Sequence, residues 1–179
     1  MKTMRPMRVA GIIIVLLMGV AIAPARGASE PPIKISSPDF SEGGSIPPQF
    51  TCTGANVNPS LRISGVPAGA RSLVLIVDDP DAPAGTWTHW LLWNMKPDLQ
   101  EIAANGVPAG AVQGANDFHK NNYGGPCPPS GVHRYFFRLY ALDTVLELPA
   151  GSSRKALDKA MSGHVVASAE YMGKYAKPR

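Results

Sequence analysis

Leu73-Val74-Leu75-Ile76-Val77 is five apolar residues without a break, and Asp78-Asp79-Pro80-Asp81-Ala82-Pro83 follows at once. A short, uninterrupted β-favouring run bounded by turn formers reads as a strand buried on both faces. Such a strand needs a packed layer on each side, so it belongs at the centre of a fold and not at its rim. The acids and prolines then end it abruptly. Three carboxylates within four residues repel one another unless something pairs them. The prolines fix φ and offer no N–H donor, which favours a loop of definite shape. The plainer alternative is a solvated acidic turn.

Working outward, Trp87 to Met95 reads as the next strand, with His89 placed by alternation on the face opposite Trp90. Arg134 to Leu142 is a long aromatic strand whose Tyr135, Phe137, Leu139 and Ala141 share one face. Upstream, Ile33-Lys34-Ile35 opens the folded part, and residues 36–67 carry the Ser, Pro, Gly and Asn of short strands and turns. Downstream, Ser153 can cap a helix running to about Ser162. Gly163 breaks it, and His164 to Met172 resumes a helical pattern. With 18 Gly and 18 Pro in 179 residues, a helical bundle has little room to form. The expected fold is mainly β: an antiparallel β-sandwich with short peripheral C-terminal helices, one domain over residues 29–179.

Residues 1–28 read as a signal peptide. Lys2, Arg5 and Arg8 precede an uncharged run of 15 residues from Val9 to Ala23, and small residues follow at Ala23, Ala25, Gly27 and Ala28. The run is short against the ~20 residues needed to span a bilayer. An exported protein, periplasmic or secreted, is the expectation. The leader also accounts for the charge. Of 17 basic residues four lie in it, so 13 basic and 13 acidic residues remain in the rest of the chain. A balanced folded part argues against a nucleic-acid partner.

Export gives Cys52 and Cys127 an oxidising environment. Two possibilities stand: a disulfide across a separation of 75 residues, favoured by the even count, or two separate thiols. No P-loop, G-x-G-x-x-G, H-E-x-x-H or G-x-S-x-G is present. What remains is a set of polar residues at strand ends: Asp79, Trp87-Thr88-His89-Trp90, and the loop Gly124-Gly125-Pro126-Cys127-Pro128-Pro129 leading to His133-Arg134-Tyr135. Imidazoles, a phenol, a carboxylate and glycine N–H groups brought together could receive a small anion.

These residues resemble a known family. Asp79-Pro80-Asp81-Ala82-Pro83, His89, Gly125-Pro126 and His133-Arg134-Tyr135 are similar to the signatures of the phosphatidylethanolamine-binding proteins. Phe50-Thr51-Cys52, Gly125-Pro126-Cys127-Pro128-Pro129 and the ending Gly163-His164-Val165 to Gly173-Lys174-Tyr175 resemble its bacterial, Raf-kinase-inhibitor-like branch. The resemblance spans about residues 33–175. It implies a sandwich of two antiparallel sheets with a shallow anion pocket lined by Asp79, Trp87, His89, Gly125, Pro126, His133 and Tyr135. Asp81, Pro83 and Arg134 are then structural.

The expected function is non-enzymatic binding of a small anion or phosphorylated ligand, with a lipid head group as one form of it. His89 and His133 would donate to the anion, helped by glycine N–H groups, while Asp79 orients one imidazole. Neither a cofactor nor a metal is implied, and no oligomeric state is specified. Two further readings stand beside it. One is a secreted regulatory or inhibitor protein that meets a protein partner through its surface. The other is a hydrolase using Cys127 with His133, or Asp79 with the two histidines around a metal.

Overall fold

The computed structural model describes residues 32–178; residues 1–28, expected to be a signal peptide, and the start of the domain at residue 29 lie outside them. No helix among the described residues is long and apolar enough to cross a membrane.

Two antiparallel sheets form the domain. The smaller has three strands in the order β1 (Lys34–Ser36), β2 (Leu61–Ser64) and β5 (Glu101–Ile102). The larger has five, in the order β6 (Val112–Gln113), β4 (Trp87–Met95), β3 (Ser72–Asp79), β7 (His133–Leu142) and β8 (Val165–Tyr175). The apolar run sits where its composition requires, in the middle strand of the larger sheet. Leu73, Leu75 and Val77 of β3 pack between the sheets with Ile35, Ile63, Trp90, Phe137 and Leu139. The intervening Val74 and Ile76 face a second core with Leu91, Trp93 and Leu142. The apolar run at 73–77 is thus covered on both faces, and the expected sandwich is the architecture observed.

The second core is roofed by α1 (Arg154–Met161). The Ser153 hydroxyl accepts from the Ala156 N–H at 3.3 Å, as expected of an N-cap. Leu157 and Met161, one turn apart, carry the apolar side of the helix into that core. This is the one α-helix among the described residues.

A second C-terminal helix does not form. Gly163, at φ +83°, turns the chain back, and the segment expected to resume a helix is β8 instead. It pairs with β7 from His133↔Tyr175 to Leu142↔Val165. A period of two was present in Tyr171, Gly173 and Tyr175, all buried, and it outweighs the helix-favouring alanines. Gly173 is required there because a Cβ would stand 2.5 Å from the Ile46 side chain. Pairing along the full length of β7 satisfies more backbone than an isolated helix of this size could.

Candidate functional site

The antiparallel arrangement brings the end of β3 beside the start of β7. Asp79 closes β3 and is 3% exposed; His133 opens β7 and is 7% exposed. Up to 54 residues separate them in sequence, yet His133 Nδ1 donates to Asp79 Oδ2 at 2.7 Å. The other carboxylate oxygen accepts from the Asp81 N–H at 2.8 Å. Asp79 therefore orients an imidazole while fixing the turn that follows it. Asp81 in turn accepts the backbone N–H and Nε of Arg134, both at 2.9 Å, and Nη2 at 2.6 Å. That guanidinium holds the Asp81 carboxyl well below the usual range, at about 2. These bonds tie the loop after β3 to the start of β7.

His89 reaches the same place by a route that alternation does not describe. The β3–β4 register pairs Val77 with Trp90 but Asp78 with Thr88, leaving His89 as the extra residue of a bulge. Its ring consequently packs edge-on to Tyr135, at 5.2 Å, on the side of the sheet where Trp90 lies. The expectation of a face opposite Trp90 is corrected by that inserted residue. The Gly124 carbonyl accepts from His89 Nδ1 at 2.6 Å, so Nδ1 carries the proton. Burial pushes the His89 imidazole below its ordinary value, against the partial opposition of the Gly124 carbonyl and the nearby Asp79 charge.

Asp79, Trp87, His89 and His133 line one cavity of about 190 Å³, and Pro83 forms part of its wall. Ala82, Phe118, Cys127 and Pro129 complete it. Tyr135 stands behind His89 and does not line the cavity; burial and the Asp79 charge keep its phenol protonated. Gly125 lines an adjoining cavity of about 240 Å³ that shares Phe118 and Cys127 with the first. Pro126 is buried, and its carbonyl accepts from the Cys52 N–H at 3.1 Å.

The glycine N–H groups do not serve an anion. Gly124 N–H donates to the His89 carbonyl at 3.0 Å and Gly125 N–H to Asn56 Oδ1 at 2.8 Å. The missing side chain at Gly125 instead lets the loop pack on another one: a Cβ would stand 2.5 Å from the Phe50 carbonyl. Cys52 and Cys127 form a disulfide with Cα atoms 5.4 Å apart, fastening the two loops together. Cys127 is therefore not available as a thiol nucleophile. Among the described residues no group of three or more His, Cys, Asp or Glu side chains is arranged to hold a metal.

Phe118 is the residue that sequence reasoning missed. It is 38% exposed and lies edge-on to both Trp87, at 5.5 Å, and His89, at 5.3 Å. Buried Asn116 sets its position, accepting from the Phe118 and Lys120 N–H groups on one side-chain atom and donating to the His89 and Asn122 carbonyls from the other. An Asn in a polar loop signals a turn. Nothing in the sequence says which strand the following aromatic will cover.

Three buried side-chain polar atoms among the described residues have no hydrogen-bond partner, and two belong here: Trp87 Nε1 and the Tyr135 hydroxyl. Asp79 and the Cys127 backbone are the hydroxyl's polar neighbours, without a hydrogen bond of ordinary geometry. Unspent buried donors are unusual in a finished interior. The arrangement can hold a compact polar group against two imidazoles and a carboxylate.

The family model described as phosphatidylethanolamine-binding protein matches residues 36–176. A "UPF0098 protein" of Methanothermobacter thermautotrophicus is 52% identical over 141 residues, covering 76% of this chain and 93% of the relative. Among solved structures, a Chlamydia trachomatis protein described as a phosphatidylethanolamine-binding protein homolog superposes with a TM-score of 0.79 at 42% identity, over 82% of this chain and 99% of that one. Escherichia coli YbcL, described as a new member of the mammalian family of that name, does so with a TM-score of 0.77 at 31% identity, over the same shares.

Proposed function

The chain belongs to the phosphatidylethanolamine-binding protein family, and from that premise we propose that it is an exported, non-catalytic receptor for a small acid or phosphorylated group, bound in the cavity between Asp79, Trp87, His89 and His133. The observation that carries this reading is convergence. Three strand ends far apart in sequence deliver two imidazoles and a carboxylate to one concave site, beside an indole N–H with nothing to bond. A cavity of about 190 Å³ suits a phosphoryl or carboxyl group better than an extended chain, so a lipid would offer only its head group. The positively charged, apolar, small-residue order of residues 1–28 supports export, and the Cys52–Cys127 bond suits an oxidising compartment.

Calorimetric titration with inorganic phosphate tests the reading. Saturable one-site binding is expected near pH 6 and should be lost in a His89→Ala, His133→Ala variant that still unfolds cooperatively. Binding unchanged in that variant, or no binding by the native protein, overturns it.

A further inference from the structure

Both imidazoles of the cavity already spend their Nδ1–H on a protein acceptor. His133 Nδ1 donates to a carboxylate and His89 Nδ1 to a carbonyl, groups that only accept. A neutral imidazole carries one N–H. Each ring is therefore left with a bare lone pair at Nε2, and neither Nε2 has a partner among the described residues. An acceptor-only anion entering this cavity would meet two lone pairs and the Asp79 carboxylate.

Among the described residues no fixed cation lines this cavity to offset that. Arg134 is engaged by Asp81, and Lys120 lines the adjoining cavity and not this one. The charged groups acting on His89 are Asp79 and Asp78 of β3 and Asp117 of the Phe118 loop, all acidic. Around His133 stand Asp79 and Asp81 with Arg134, and across the sheet Tyr175 of β8. Tyr135 adds a phenol. Trp87, which also lines the cavity, has a buried indole N–H without a hydrogen-bond partner.

Resting on the receptor reading above, we infer that the site binds an acid together with a proton, and so selects ligands that can carry an acidic O–H, such as a phosphate monoester, over anions that cannot, such as a phosphate diester. Either the ligand's own O–H donates to an imidazole Nε2, or the imidazole takes up a proton from solvent and donates it. Both routes leave the complex with one proton more than the dissociated partners at neutral pH. A monoester brings that proton cheaply, since its second ionisation lies near pH ~6. A diester must protonate an imidazole, and for His89 burial opposes this.

Calorimetry with methyl phosphate and dimethyl phosphate, at pH 6, 7 and 8 and in buffers of differing ionisation heat, separates the outcomes. At pH 7 uptake of about one proton per bound molecule is expected for either ligand, with affinity falling about tenfold from pH 7 to pH 8. Methyl phosphate should bind at least ~10-fold tighter than dimethyl phosphate at pH 7. Binding without proton uptake, or equal affinity for the two esters, overturns this inference and leaves the receptor reading intact. Failure of both ligands to bind at every pH overturns the receptor reading and this inference with it.

Discussion

Asp78 and Asp79 are neighbours on one strand, equally buried at 2% and 3% exposure, and they face opposite sides of the sheet. Asp78 meets guanidiniums. Arg138 Nε lies 3.2 and 3.3 Å from its two oxygens, and Arg154 Nη1 lies 3.1 Å from one of them. Those arginines are themselves shared with Glu170 and Asp158. Asp79 meets an imidazole. The hollow on the Asp78 side is the larger, about 520 Å³ against about 190 Å³. Yet both of its guanidiniums are already committed to carboxylates. On the Asp79 side lone pairs and an indole N–H remain unspent. What sets the proposed binding site apart from the larger hollow is therefore uncommitted hydrogen-bonding capacity and not volume.

The largest effect should come from stranding Asp78. Replacing Arg138 and Arg154 together by Leu leaves a buried carboxylate without a cation, which costs about 3–5 kcal/mol. Urea unfolding measures it. Adding Asp78→Leu should return most of that loss, because removing a whole buried ionic cluster is far cheaper than halving it. Phosphate affinity should stay within about twofold in the triple variant, since none of these residues lines the smaller cavity. A double variant costing under about 1 kcal/mol, or a triple variant blind to phosphate, would break the division between the two sides.

On the other side, Asp79→Ala should cost about 1–3 kcal/mol, through the buried His133 Nδ1–H it leaves unpaired. The smaller loss is expected because a single imidazole N–H is stranded here and a carboxylate charge there, and an unpaired buried charge costs more than an unpaired neutral donor. Phosphate binding should fall as well, the ring having lost its orientation, and calorimetry on the same sample reads both.

How much of this contrast was legible in sequence depends on which residue is asked. The run at 73–77 announced a central strand, and Asp79, His89 and His133 announced a strand-end site, because composition and turn chemistry act locally. Three features were not legible. The bulge at His89 arises from a register slip between two strands, and a strand's own alternation does not encode its partner's. Segment 164–172 carried both periods, and its pairing with β7 decided between them. The glycine N–H groups were spent on Asn56 and the His89 carbonyl, contacts that exist only once the loops are fastened. The arginines over Asp78 belong with these: Arg154 lies 76 residues away, in α1.

Proton dependence sharpens the comparison next. Burial holds the folded His89 below its ordinary value of 6.5, so the unfolded chain binds more protons than the native one in the window beneath it. The ligand-free protein should therefore gain stability as pH rises towards 6.5 and lose it as pH falls through the folded value. Anion binding should run the other way, strengthening as the solution becomes more acidic. Guanidinium midpoints measured from pH 5 to 8, with and without phosphate, check both signs. In His89→Phe the ligand-free slope in that window should shrink. A ligand-free midpoint that rises on acidification would contradict the burial of a neutral imidazole.

The smallest effect tests whether burial and partners, and not acidity as such, set these costs. Asp98 is exposed, in the turn that follows β4. Water already solvates its charge in the folded and the unfolded chain, so Asp98→Ala removes little that folding had gained. The expected change is within about ±0.5 kcal/mol. Phosphate affinity should not move, because Asp98 borders a separate surface hollow beside β2 and β5. The same carboxylate chemistry thus spans a graded series, from a buried ion cluster to a buried imidazole pair to an exposed turn. A loss at Asp98 comparable to that at Asp79 would mean that the acidic residues of this chain stabilise it through its overall field, and the two-sided account of β3 would have to give way.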